Sequence, residues 1–236
     1  MEVLLKGSLE LNKMFSAVQK TADWIRRDFG EIESLQQSLS SASDFVKKAS
    51  ERIEESICSD LLLVRPNAGF LTPNISESGD GRDEFVLSLS GSNNFVRSND
   101  NFAISLALRC MDETKIALVY SPVKDKLFYS EKGMGAFVFS THHSTKIHVS
   151  NIRSVDDISV AYNVLEKVNL TRNSRVSGCV ALDLAYVACG KIDVFISDQI
   201  DYSELAAGEL LVQESCGKLI FSDKIVAYNG IANIDI

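Results

Sequence analysis

Between residues 85 and 149 the chain breaks into short strand-like pieces, and this pattern limits the fold more than any other feature. The pieces are Phe85 to Leu89, Phe102 to Arg109, Ile116 to Tyr120, Lys126 to Ser130, Ala136 to Phe139 and Thr145 to Val149. Glycines, prolines and charged dipeptides separate them, which suits an antiparallel meander. Helices are expected in front of it. Leu9, Leu11, Met14, Phe15, Val18, Ala22, Trp24, Ile25 and Phe29 recur at mixed three- and four-residue steps with charges between them. The serine- and glutamine-rich stretch Ser34 to Ser43 reads as a loop, with a second helix starting near Ser43-Asp44 and carrying Phe45, Ala49, Ile53 and Ile57 on one stripe.

Beyond the meander, strands and helices alternate. Ile158 to Tyr162 reads as a strand, Leu182 to Cys189 as a helix ended by Gly190, and Ile192 to Ile196 as a strand. Ser203 to Cys216 reads as a helix capped by Ser203, and Lys218 to Ser222 and Ile225 to Tyr228 as closing strands. A helix-plus-meander half (1–150) beside a smaller alternating half (151–236) predicts one domain of layered α and β, not a parallel doubly wound sheet.

Composition excludes some functions. A net charge of −8 and a pI near 5.0 oppose binding of a nucleic-acid backbone by a broad basic face. No run of apolar residues is long enough to span a bilayer, so no membrane helix is expected. The opening residues Met1 to Lys6 lack the basic start and long apolar core of a secretory leader. The 5 cysteines are odd in number and none is at CxxC spacing, which predicts reduced, buried thiols in a cytoplasmic protein. His142, His143 and His148 fall in an expected hairpin without nearby cysteine or paired acids, and read as surface histidines.

Several segments together resemble one family. Lys115 to Pro122 (KIALVYSP) resembles a GVVYxP strand and turn, and Phe128 to Phe137 (FYSEKGMGAF) an FxAxxGxGAF hairpin. Gly178 to Asp193 (GCVALDLAYVACGKID) is similar to GSAALDLAYVAxGRxD, and Glu204 to Gly217 (ELAAGELLVQESCG) to DxAAGxLIVxEAGG. These are segments of the inositol monophosphatase family, within the magnesium-dependent, lithium-sensitive phosphatase superfamily. The resemblance runs from about residue 8 to residue 230. It implies an α-β-α-β-α sandwich of the inositol monophosphatase and fructose-1,6-bisphosphatase type, a homodimer, and Mg2+-dependent hydrolysis of small phosphate monoesters.

The family takes its metal ligands from an EE pair, a DPxDGT loop, a WD dipeptide that opens a helix, and an aspartate on the second helix. Magnesium is a hard ion that favours carboxylate oxygens, and here the carboxylates thin out. Aligned on Gly91 and Asn94-Phe95, the DPxDGT loop falls on Leu87-Ser88-Leu89-Ser90-Gly91-Ser92. Leu87 has no ligand atom and Ser90 only a neutral hydroxyl, while Ser92 keeps a hydroxyl able to orient water. The WD dipeptide falls on Ser203-Glu204, and the helix aspartate near Ser50. The EE pair falls on Pro73-Asn74 by spacing, or on Ser76-Glu77 by matching the serine and glycine that follow. The family's substrate glutamate falls near Ser197, with Asp198 and Asp201 as candidates to compensate.

The resemblance therefore names Ser92 and Glu77 as catalytic candidates and Glu77, Ser90 and Glu204 as metal candidates. Gly91, Ser92, Asn93 and Ser197 are its substrate-binding candidates. With so few carboxylates, the expected function is that of an impaired or inactive homologue that binds a small phosphorylated or polyol ligand or a protein partner. The alternative is a magnesium-dependent phosphatase with altered metal ligands.

Overall fold

The computed structural model describes residues 4–35, 39–77, 79–140, 142–154, 156–163 and 173–232. Two helices come first, α1 (Leu9–Leu35) and α2 (Leu39–Leu62). Ser8 starts α1, its hydroxyl accepting the Leu11 N–H at 3.2 Å, as an N-cap side chain does. Leu11, Met14, Val18, Ile25 and Ile32 on α1, with Ala42, Val46, Ile53 and Ile57 on α2, are buried on one apolar stripe each. That stripe extends α2 back to Leu39, so the helix begins ahead of the expected Ser43-Asp44 start. Between the helices, Asp28 is buried, and Arg52 and Arg27 supply its counter-charge.

The first sheet contains β1 (Gly69–Leu71), β2 (Ser76–Glu77), β3 (Asp83–Ser90), β4 (Ala103–Cys110), β5 (Glu113–Ser121), β6 (Lys126–Glu131), β7 (Gly135–Ser140) and β8 (His143–Ile147). Its order is β2-β1-β3-β4-β5-β6-β7-β8, and β3 to β8 form the antiparallel meander. β1 joins parallel to β3, with Phe70 level with Phe85. The second sheet, ordered β10-β9-β11-β13-β12, contains β9 (Val160–Asn163), β10 (Ser174–Arg175), β11 (Val194–Ser197), β12 (Lys218–Phe221) and β13 (Ile225–Tyr228). It is mixed, with β9 parallel to β11 and β13 antiparallel to it.

Strand alternation builds the layers, because successive side chains point to opposite faces. Leu87, Leu106, Leu118 and Leu127 turn toward α1 and α2 and form one core. Val86, Ala103, Ala107, Ala117 and Val119 turn the other way, toward α4 (Val180–Ala188) and α5 (Tyr202–Glu214). The second sheet closes over the same two helices with Ala161, Phe195 and Ala227. A small residue lets the two helices of this layer approach: a Cβ on Gly208 of α5 would lie 2.4 Å from Leu184 of α4. The described residues thus form helix, sheet, helix and sheet layers, and residues of both expected halves share the second core. Among the described residues no helix forms a fifth layer on the outer face of the second sheet.

Two further details differ from the sequence reading. Asp201 caps α5, accepting the Ser203 N–H at 2.8 Å, so Ser203 sits inside the first turn. Both residue types cap well, and the chain enters the helix two residues earlier than expected. Of the cysteines, Cys58 and Cys179 are buried, but Cys216 is exposed at a left-handed turn after α5. Among the described residues no helix is long and apolar enough to cross a membrane.

The buried Asp28 sets a stability test. Replacing Arg52 with alanine removes a charged partner from a carboxylate shut off from water, which should cost about 2 kcal/mol. Urea unfolding of Arg52→Ala should show this loss, and an unchanged midpoint would show that Arg27 alone suffices.

Candidate functional site

The site gathers where β3 ends. Gly91 follows Ser90 with φ +80°, a left-handed turn that favours glycine. The space is also closed to a side chain, since a Cβ there would lie 2.8 Å from the Asn101 carbonyl oxygen and 3.0 Å from the Cys179 Cβ. A short helix, α3 (Ser92–Val96), follows at once. The amide of Asn94 locks the turn, donating to the Asn101 carbonyl at 2.8 Å and the Ser177 carbonyl at 2.9 Å.

β3 sorts the loop's side chains before the turn begins. Leu87 is 1% exposed and belongs to the core against α1 and α2. Ser88 and Ser90 face the other way. Ser88 donates to the Ser203 carbonyl at 3.1 Å. Ser90 is fully buried and accepts the Ala181 N–H at 3.2 Å, and its hydroxyl lies beside the Glu204 carboxyl. Burial pushes the Glu204 carboxyl above its usual range, the Ser90 hydrogen bond opposes this, and nearby Asp201 adds to it. The structure therefore brings Ser90 and Glu204 together as neighbours, with the hydroxyl already accepting the Ala181 N–H.

A second group lies across the turn, around a cavity of about 280 Å³ between α2, the β1–β2 turn and α3. Ser92 and Asn93 line it from α3, Pro73 and Asn74 from the turn, and Ser50 and Lys47 from α2. Glu54, only 3% exposed, closes the α2 side. Its carboxylate accepts the Thr72 hydroxyl at 2.8 Å and the Asn74 amide at 3.1 and 3.2 Å. Burial pushes the Glu54 carboxyl up, and these two hydrogen bonds pull it back.

Strand register separates the two placements of the EE pair. β2 runs back along β1, so Glu77 is paired with Phe70, itself level with Phe85. At roughly 3.3 Å per residue, that backbone lies some 16 Å up β3 from Ser90. Pro73 and Asn74, the placement counted by spacing, line the cavity with Ser50, Ser92 and Asn93. Glu77 is therefore not brought to this group.

Ser197 and its neighbours also lie apart. Ser197 is fully buried, accepts the Asn163 amide at 3.0 Å, and has the Asn163 and Gln199 carbonyls at 2.8 and 2.9 Å for its own proton. It ties β9 to β11 instead of facing the cavity. Asp198 lies 3.9 Å from Lys224, and Asp201 is engaged as the α5 cap. Neither replaces a missing ligand.

Sequence reasoning overlooked Lys47 and Glu54. The signal was present: Ser43, Lys47, Ser50 and Glu54 follow at steps of four, three and four, one polar face of α2 flanking its buried stripe. Among the described residues no three of His, Cys, Asp or Glu stand close enough to hold a metal ion together.

Two sheets enclosing paired helices, with loop ends collected at the tip of β3, define a layered sandwich of the inositol monophosphatase type. The inositol monophosphatase family model matches residues 10–224, and the chain belongs to that family. An inositol-1-monophosphatase of Rhizobium meliloti is 32% identical over 225 residues, covering 88% of this chain and 83% of the relative. The Nus factor SuhB of Escherichia coli K12 is 29% identical over 237 residues, covering 93% and 86%. Among solved structures, the extragenic suppressor protein SuhB of Bartonella henselae superposes with a TM-score of 0.82 at 30% identity, covering 95% of this chain and 94% of that one.

Asp183, on α4 beside this site, is 2% exposed and accepts the Ser177 hydroxyl at 2.5 Å. Burial raises its carboxyl from 3.8 to about 6, although the Ser177 bond and Arg175 act against the shift. A raised folded-state value means the proton is held more tightly in the folded chain. Its stabilisation is complete below 3.8 and is lost as pH rises through about 6. Asp183→Asn should remove that slope, worth at most about 3 kcal/mol. Chemical unfolding across this window checks it, and an unaltered slope in the variant would contradict it.

Proposed function

We propose that this chain is a member of the inositol monophosphatase family that binds a small phosphorylated or polyol ligand in the α2 cavity without hydrolysing it through magnesium. One observation carries the reading: where family loops direct carboxylates to a paired-metal centre, this chain directs neutral or apolar groups. Ser50, Pro73 and Asn74 line the cavity, and Leu87 is turned into the core. Ser90 presents only a neutral hydroxyl that already accepts the Ala181 N–H. Glu204 is the one acid at a matching position among the described residues, and Glu54 is engaged with Thr72 and Asn74. This donor set does not fit paired magnesium ions, which need several carboxylate oxygens to offset their charge.

A phosphatase reading is favoured by the names of relatives such as the Rhizobium meliloti enzyme and by the retained Glu204 and Ser92 hydroxyl. One assay separates the two. Purified chain is mixed with inositol 1-phosphate and millimolar magnesium, and phosphate release is followed. The binding reading expects release no faster than the protein-free control. Magnesium-dependent turnover abolished by Glu204→Gln would overturn it in favour of the phosphatase.

A further inference from the structure

We infer that Lys47 supplies the positive charge for an oxyanion of the phosphate class in the α2 cavity, so that this site takes its ligand without a divalent cation. The inference rests on the non-hydrolysing reading above and names the chemistry of the same site.

Lys47 lies on the polar face of α2 and lines the cavity with Ser50, Ser92 and Asn93. Among the described residues, these four side chains have no hydrogen-bond or ion-pair partner. The cavity does contain an acid, but Glu54 is satisfied by Thr72 and Asn74 instead of by Lys47. The lysine is thus not paired with that acid, and its ammonium stands next to hydroxyl and amide groups with free donors. An ammonium is a compact charge that binds phosphate oxygens, and charge-assisted hydrogen bonds of this kind are stronger than neutral ones. Hydroxyl and amide donors complete an oxyanion's shell without adding charge. The neutral Ser50, Asn74 and Ser92 suit this arrangement, because carboxylates at those positions would repel an anion unless a metal lay between them. The acidic chain as a whole repels anions, so a local cation is what an anion site here requires.

The test is calorimetric titration of the full chain with inorganic phosphate in excess EDTA. Binding is expected in EDTA, weakened at least tenfold by Lys47→Ala and largely retained by Lys47→Arg. Lys48→Ala, next along α2 but not lining the cavity, should leave it unchanged. Lys47 is exposed, so its variants should fold normally, and circular dichroism checks this. Phosphate binding that needs magnesium, binding equal in Lys47→Ala, or no binding at millimolar phosphate would each overturn the inference. Turnover of inositol 1-phosphate with magnesium would instead sink the non-hydrolysing reading. Lys47-dependent binding in EDTA would still stand in that case, so the two failures are distinguishable.

Discussion

The two-residue alternation of β3 is the constraint on which the rest of the structure depends. Each of its side chains must enter one of two cores or the site, and a slip of one residue would exchange them all. In the observed register Leu87 and Leu89 join the core under α1 and α2, while Ser88 and Ser90 meet α5 and α4. The strand therefore does two tasks. It anchors the helical layers on both faces of the sheet, and at its end it delivers Ser90 to Glu204 and turns the chain through Gly91 into the cavity wall.

From this follows the electrostatic character of the site. A cluster of carboxylates is stable in a folded chain only if cations or protons offset its repulsion. Here the acids are few: Glu54 is held by Thr72 and Asn74, and Glu204 lies beside the Ser90 hydroxyl. The chain can complete these loops with its own hydrogen bonds. Lys47 then changes the sign of what the α2 cavity attracts, from a cation to an anion.

Much of the fold was readable because alternation and helical periodicity are strong over long segments. The strands of the meander, α4 and α5 fall where their apolar patterns put them, within two residues except at the start of β5, which begins three residues earlier at Glu113. The misses have local causes. The segment before Ser43 reads as polar, yet Ala42 alone extends the buried stripe of α2 toward Leu39. The short α3 arises from a glycine turn in a run of serine and asparagine, where no periodicity exists to signal a helix. Ser203 and Asp201 are both competent caps, and only the path of the chain chooses between them.

The site was legible in part. Resemblance identified Ser90, Ser92, Asn93 and Glu204, and the structure sorts them into a closed pair at β3 and an open cavity beyond it. Glu77 and Pro73-Asn74 could not be separated by sequence, since two anchors competed, but the pairing of β2 with β1 separates them. Lys47 and Glu54 were overlooked because attention to inherited ligand positions passed over the plain helical spacing of α2. The most direct test of the central claim is a crystal soaked in manganese and phosphate, read by anomalous scattering. The account expects phosphate against Lys47 with no manganese peak beside Ser50, Asn74, Ser90 or Glu204. An ordered manganese ion bound there would contradict it.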